Sequence, residues 1–134
     1  MANRYFSQFS WSLEKNPVTL WARVTIGASG APTLDATNSK GIKSISRSSA
    51  GTYVVTFGVG NQTDTYNRLL FADAMFEVSG GVPAAPVMAV SAQSVSSAGT
   101  VTLVFSDVET PAATDPASGE VMYLEFKLKN STAQ

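Results

Sequence analysis

The chain has 134 residues, with nine Lys and Arg, ten Asp and Glu, and a formal net charge of −1. This length fits one domain, and the near-neutral charge offers no basic field for phosphates, so we expect no nucleic-acid partner. Cysteine and histidine are absent, which excludes disulfides and thiol catalysis and removes the commonest general base. The first residues lack an apolar segment and no apolar run approaches about 20 residues, so we expect neither a signal peptide nor a membrane partner.

Charged residues make up only 14% of the chain, against about 25% in a typical soluble domain. Ser, Thr, Ala and Gly are correspondingly abundant. A polar surface with so little charge suits burial against a partner. It equally suits a plain β-sandwich whose faces are rich in Ser and Thr, so both interpretations stay open.

The N-terminal segment, residues 1–16, carries four closely spaced aromatic residues, which are Tyr5, Phe6, Phe9 and Trp11. Aromatic side chains offer a large contact area at a low entropy cost. The segment is therefore either an edge strand or arm that packs on its own domain, or an arm that docks on a neighbouring subunit. We divide the chain into this arm and a β-sandwich domain over residues 17–134.

The first strand is predicted over residues 18–26, because apolar and polar residues alternate there with the period of two that a half-buried strand requires. Trp21 falls on the polar face of this strand. It either covers a second hydrophobic cluster or marks a contact surface. Residues 27–30 are predicted to end this strand, and residues 31–34 lead into a polar loop that ends at Gly41.

A β-hairpin is predicted from two β-prone segments, residues 42–47 and 52–57. On the second of these, alternation puts Tyr53, Val55 and Phe57 on one face. Gly51 can supply the positive φ that the turn needs at no steric cost. The hairpin therefore has one buried face.

Residues 66–77 have the only helix-compatible composition in the chain. A helix with a cap at Asp64 or Thr65 is one interpretation. We favour a short helical turn from Tyr66 to Leu70 followed by a strand over residues 72–78, because a lone helical segment in a β-sandwich is usually a connection.

Three further strands are predicted, over residues 87–93, 100–105 and 120–129. In the last of these, Glu125, Lys127 and Lys129 are predicted to face solvent. Segments rich in Pro and Gly separate the strands, at residues 80–86 and 107–119. The sequence thus predicts an all-β, single-domain β-sandwich, jelly-roll-like, with seven or eight strands.

No catalytic group emerges from the sequence. Serines and threonines have no histidine to activate them, and a Ser–Lys pair is only formally open. Asp107, Glu109 and Asp115 match a Ca²⁺ loop weakly, and we interpret the carboxylates as solvated loop residues. The glycine pairs lack the spacing of phosphate-binding loops. We therefore expect no enzyme activity, no metal and no cofactor, and we take the candidate contact residues to be the four arm aromatics, Trp21, Pro83, Pro86, Pro111 and Pro116.

The predicted hairpin carries a recognisable pattern. A Gly-x-x-Ser-Ile-x-Arg step from Gly41 to Arg47 leads to Gly-x-Tyr-x-Val-Thr from Gly51, and then to Tyr-Asn-Arg-Leu at residues 66–69. Together with residues 100–105, the Ala-Thr-Asp-Pro of residues 113–116 and the closing segment 120–131, this pattern resembles virion proteins of tailed bacteriophages. The resemblance covers residues 17–131.

Within that group the chain is most similar to a capsid cement (decoration) protein. The resemblance implies a compact β-sandwich, made in the bacterial host cytoplasm, that binds the outer capsid surface and bridges capsomers. It implies the major capsid protein as partner and a homo-oligomer, dimer or trimer. A head-fibre or tail-fibre module and a carbohydrate-binding β-sandwich remain the alternatives.

Overall fold

A computed structural model describes residues 17–130. Over this range it contains nine strands and one 3-10 turn at Ala28–Gly30. The strands are β1 (Pro17–Ile26), β2 (Pro32–Leu34), β3 (Ile42–Ser49), β4 (Thr52–Val59), β5 (Gln62–Thr63), β6 (Arg68–Glu77), β7 (Val87–Ser94), β8 (Thr100–Ser106) and β9 (Val121–Lys129).

The strands form two antiparallel sheets. The four-stranded sheet has the order β2-β1-β9-β6, and the five-stranded sheet has the order β3-β4-β8-β7, with β5 pairing with β4. Strand β9 lies between β1 and β6 and pairs with both along nearly its whole length. The hairpins β1–β2, β3–β4 and β7–β8 each stay within one sheet, and the chain passes between the sheets in the β2–β3, β5–β6, β6–β7 and β8–β9 connections.

The core lies between the two sheets. Strands β4, β8 and β9 bury every second side chain, which is why their alternation is so regular in the sequence. Aromatic rings join the sheets edge to face. Phe57 meets Phe126 at 5.2 Å between ring centroids, and Phe76 meets Phe105 at 5.7 Å. The predicted all-β sandwich is confirmed, and the count of nine exceeds the expected seven or eight because β2 and β5 are only three and two residues long.

The predicted helical turn from Tyr66 to Leu70 is wrong. The segment runs into strand β6, and its backbone bonds to other strands instead of to itself. The Asn67 N–H donates to the Lys129 carbonyl at 2.8 Å, and Arg68 then pairs with the same residue. Pairing with β9 therefore overrides the local helix-compatible composition.

Lys129 also departs from expectation, because it was predicted to face solvent and its side chain is buried at 8% exposure. It occupies the end of the central strand β9, with Pro17 on one side and Arg68 on the other. Lys127, two residues earlier, also lies between β1 and β6 and is exposed, so neither alternation nor strand neighbours alone predict which of the two lysines is covered.

Candidate functional site

The face of the four-stranded sheet that points away from the core carries ordered cross-strand rows. We call this surface the outer face and define it by three rows, each with one residue from β1, β9 and β6. The rows are Thr19–Lys127–Phe71, Trp21–Glu125–Asp73 and Arg23–Tyr123–Met75.

Large apolar side chains on the outer face are open to solvent. Trp21 is 45% exposed, Phe71 50% and Met75 67%. Of their neighbours along the strands, Leu20, Ala22, Ala72, Ala74 and Phe76 pack in or against the core, whereas Leu70 at the bulge of β6 is exposed. Contiguous exposed apolar surface marks interaction sites. Here charged residues lie between the three apolar side chains, which are separate anchors on one face.

An open cavity of about 300 Å³ lies beside Trp21. Asn38, Asp73, Tyr123 and Glu125 contribute to its lining. Two backbone hydrogen bonds join Trp21 to Lys40, and the Lys40 ammonium lies 5.8 Å from the centroid of the indole ring. The cavity therefore combines an aromatic wall with three planar polar groups.

Two carboxylates occupy the middle row. Glu125 and Asp73 lie directly opposite each other on paired strands, an arrangement that is destabilising for like charges. Within residues 17–130 neither forms a salt bridge, and Asp73 accepts a hydrogen bond from the adjacent Ala74 N–H at 2.8 Å. The centre of the outer face thus holds negative charge without an ion-pair partner on the described part of the chain.

The third row is held in place by polar contacts. The Arg23 guanidinium donates to the Tyr123 hydroxyl at 3.4 Å and to Asp35 at 3.2 Å, and the Tyr123 hydroxyl donates to Glu77 at 2.6 Å. The Asn38 side-chain amide, with help from neighbouring backbone N–H groups and Arg23, lowers the pKa of Asp35. These contacts pre-orient the edge of the cavity before any partner binds.

A second cluster, which we call the Asp115 network, ties the hairpin tip to the β8–β9 connection. Arg47 donates to both Asp115 oxygens at 2.9 and 2.8 Å, and the Gly51 N–H donates at 2.7 Å. The Tyr53 hydroxyl lies 3.1 Å from Asp115 and 2.8 Å from the Gly30 carbonyl. The pKa of Asp115 is lowered, chiefly by the hydrogen bond from Arg47.

The Asp115 network accounts for the spacing of the hairpin pattern. Arg47, Gly51 and Tyr53 are pattern residues, and they meet at the one carboxylate of the Ala-Thr-Asp-Pro segment. Gly51 has φ +64°, and a Cβ there would lie 2.4 Å from the Thr114 nitrogen. The pattern therefore encodes a structural joint between two connections.

Asp115 is not solvated, contrary to expectation, and a second carboxylate, Glu120, is also shielded from solvent. Asp115 is held in the network, and Glu120 is buried at 7% exposure. The two Glu120 oxygens accept the backbone N–H groups of Ala84 and Ala117, each at 3.0 Å. Arg47 and Gly51 lie more than 60 residues from Asp115, and Ala84 lies 36 residues from Glu120, so local composition does not reveal these contacts.

The predicted contact residues fall in different places. The arm residues Tyr5, Phe6, Phe9 and Trp11 lie outside the described residues. Trp21 and Pro111 are exposed, Pro83 and Pro86 are half-buried, and Pro116 is buried. Burial removes Pro116 from the set of direct contacts.

Phe71 and Met75 are outer-face residues that the sequence interpretation missed. Strand β6 puts both on the same face as Asp73. Once a strand is assigned over residues 72–78, alternation places Met75 with Asp73, so the signal was present. Phe71 lay between the predicted turn and the predicted strand and gave no such signal.

Within residues 17–130, no group of three or more acidic side chains is placed to hold a metal ion. Over the same range, no helix has the length and apolarity needed to cross a membrane. Comparisons with protein-family models, curated proteins and solved structures yield no match to this chain. The outer face and the Asp115 network are therefore the features from which a function is inferred.

Proposed function

We propose that this protein is a non-enzymatic structural protein of a tailed-phage virion, which binds the outer surface of the capsid and bridges neighbouring capsomers. The observation that carries the proposal is the exposure of Trp21, Phe71 and Met75 on one rigid sheet face. The resemblance of the hairpin and closing segment to virion proteins supplies the partner, which is the major capsid protein of the same phage.

The proposed mechanism is binding without chemistry. Burial of apolar surface contributes roughly 25 cal/mol per Å², and aromatic anchors at the centre of an interface carry most of its energy. The outer face has such anchors, with the charged side chains of Lys127, Glu125 and Asp73 between them. Many copies on a symmetric shell turn modest single contacts into stable attachment through multivalency.

The proposal is tested by co-sedimentation of the purified protein with expanded capsids of the same phage, followed by electron microscopy. We expect bound protein on the outer shell. Trp21→Ala and Met75→Ala should each weaken binding about tenfold, the effect of losing roughly 1.4 kcal/mol from an anchor. Val82→Ala is the control, because Val82 is 86% exposed and lies outside the outer face.

Protein that stays in the supernatant would overturn the proposal. Full capsid binding by both outer-face variants would also overturn it, because the outer face would then contribute nothing to capsid binding. Density on a head fibre or tail fibre instead of the shell would favour the fibre alternative.

A carbohydrate-binding role is the second candidate, and the cavity beside Trp21 favours it. Sugar sites combine an aromatic platform with planar hydrogen-bonding groups, and here Trp21 and Tyr123 adjoin Asn38, Asp73 and Glu125. Titration of a glycan panel against tryptophan fluorescence tests this role. A saturable change that is lost in Asp73→Ala supports it, and flat titrations across the panel exclude it.

A further inference from the structure

Strand β7 forms a free edge of the five-stranded sheet. It pairs with β8 on one side. Within residues 17–130, no other segment forms backbone hydrogen bonds with residues 87–93. Among the described residues, nothing covers the N–H and C=O groups on its outer side, which can therefore pair with another strand.

β7 also differs from the other three edges in charge. Edge strands are normally protected from other strands by charged residues, by proline or by short length. β2 has only three residues, β3 contains Lys43 and Arg47, and β6 contains Arg68. β7, with the sequence Val-Met-Ala-Val-Ser-Ala-Gln-Ser over eight residues, contains no charged residue and no proline.

The edge leaves apolar side chains uncovered. Val90 is opposite the fully buried Leu103 and thus on the core side of the sheet, yet it is 40% exposed because no described strand lies beyond β7. Val87 is 47% exposed. An added strand would cover Val90 and satisfy the open backbone groups together.

We propose that β7 pairs antiparallel with β7 of a second copy, so that a two-fold axis joins the two five-stranded sheets. Two-fold contacts are self-complementary and close on themselves. A neutral strand can meet its own copy without like-charge repulsion, whereas self-pairing of β6 would bring Asp73 and Glu77 near their counterparts. The resemblance implied a dimer or trimer without saying how the copies meet. The contact between the two β7 strands goes beyond the proposed function and does not depend on a capsid.

The proposed dimer is weak because its interface is small. A bulge between Val90 and Ala92 interrupts the ladder, which shortens the continuous segment that can pair. An interface built on so few residues falls among small protein–protein contacts, which are typical of transient complexes. Association is therefore concentration-dependent.

Sedimentation equilibrium over a micromolar to millimolar series tests the proposal. The wild-type mass should rise from 14.1 kDa to twice that value. Val90→Lys, which places a charge on the edge, should keep the monomer mass throughout. Val59→Lys is the matched control, because Val59 is 70% exposed at the far end of β4 and should leave dimerisation unchanged.

Amide hydrogen exchange of the wild type provides the second measurement, which does not depend on a variant that folds. Protection of residues 87–90 should increase with protein concentration while protection of β9 stays constant. A wild-type protein that is monomeric throughout, a trimer mass, or dimerisation by folded Val90→Lys would each overturn the proposal. Capsid binding is measured separately, so failure of the dimer and failure of the virion role are distinguishable.

Discussion

Replacement of Asp115 by alanine should destabilise the protein more than loss of its salt-bridge partner does. Asp115 receives the N–H of Gly51, which is buried, and the guanidinium of Arg47, which is partly open to solvent. Asp115→Ala leaves the buried N–H without an acceptor. Arg47→Ala leaves that hydrogen bond intact.

The size of the effect follows from the unsatisfied donor. A buried N–H without a partner costs about 1–3 kcal/mol, which lowers the Tm of a domain of this size by roughly 3–10 °C. The Arg47 pair adds less, because solvent screens it. Asp115→Asn keeps one acceptor oxygen and should fall between Asp115→Ala and Arg47→Ala.

Chemical denaturation followed by tryptophan fluorescence or circular dichroism measures these differences. The expected order of lost unfolding free energy is Asp115→Ala, then Asp115→Asn, then Arg47→Ala. If Arg47→Ala loses as much as Asp115→Ala, the ion pair and not the buried N–H dominates the network, and the reasoning fails.

The Asp115 network also predicts that the free energy of unfolding falls at acid pH. The pKa of Asp115 is lowered from its ordinary value of 3.8 by Arg47 and other donors. The unfolded chain therefore takes up the proton first as pH falls, so this stabilisation is present above about pH 4 and is lost below it. Wild type and Asp115→Asn should converge in stability across that range.

Two further predictions concern backbone positions at the connections. Gly51→Ala should lose more stability than Gly60→Ala in thermal melts. Both glycines have φ near +60°, but only Gly51 has backbone atoms within 3 Å of the added Cβ. Equal losses would show that backbone strain alone determines the effect. Glu120→Ala should leave the N–H groups of Ala84 and Ala117 without an acceptor and speed proteolysis of the β6–β7 connection. Unchanged cleavage rates would show that other contacts hold this connection in place.

Sequence alternation predicted most of the sandwich because its central strands have one wholly buried face. Tyr53, Val55 and Phe57 are all buried as predicted. The start of β6 was predicted wrongly, and there a bulge between Leu69 and Phe71 breaks the period of two. A bulge moves the alternation by one residue, so a local pattern cannot be followed through it.

Long-range partners were the part of the candidate site that the sequence did not reveal. Trp21 stood out because an aromatic on a polar face is unusual within its own strand. The pairing of Arg47 with Asp115, 68 residues away, depends on how two connections meet in space. No periodicity or composition signal specifies that meeting.

The place of β9 has a consequence for the order of folding. This strand is the last in the chain among the described elements, and it lies at the centre of the four-stranded sheet between β1 and β6. Neither neighbour can complete its ladder until β9 is present, whereas β3, β4, β7 and β8 need nothing beyond residue 106. We therefore expect the five-stranded sheet to form first on a growing chain, with the outer face assembled last and slowly because β1–β9 contacts span about a hundred residues.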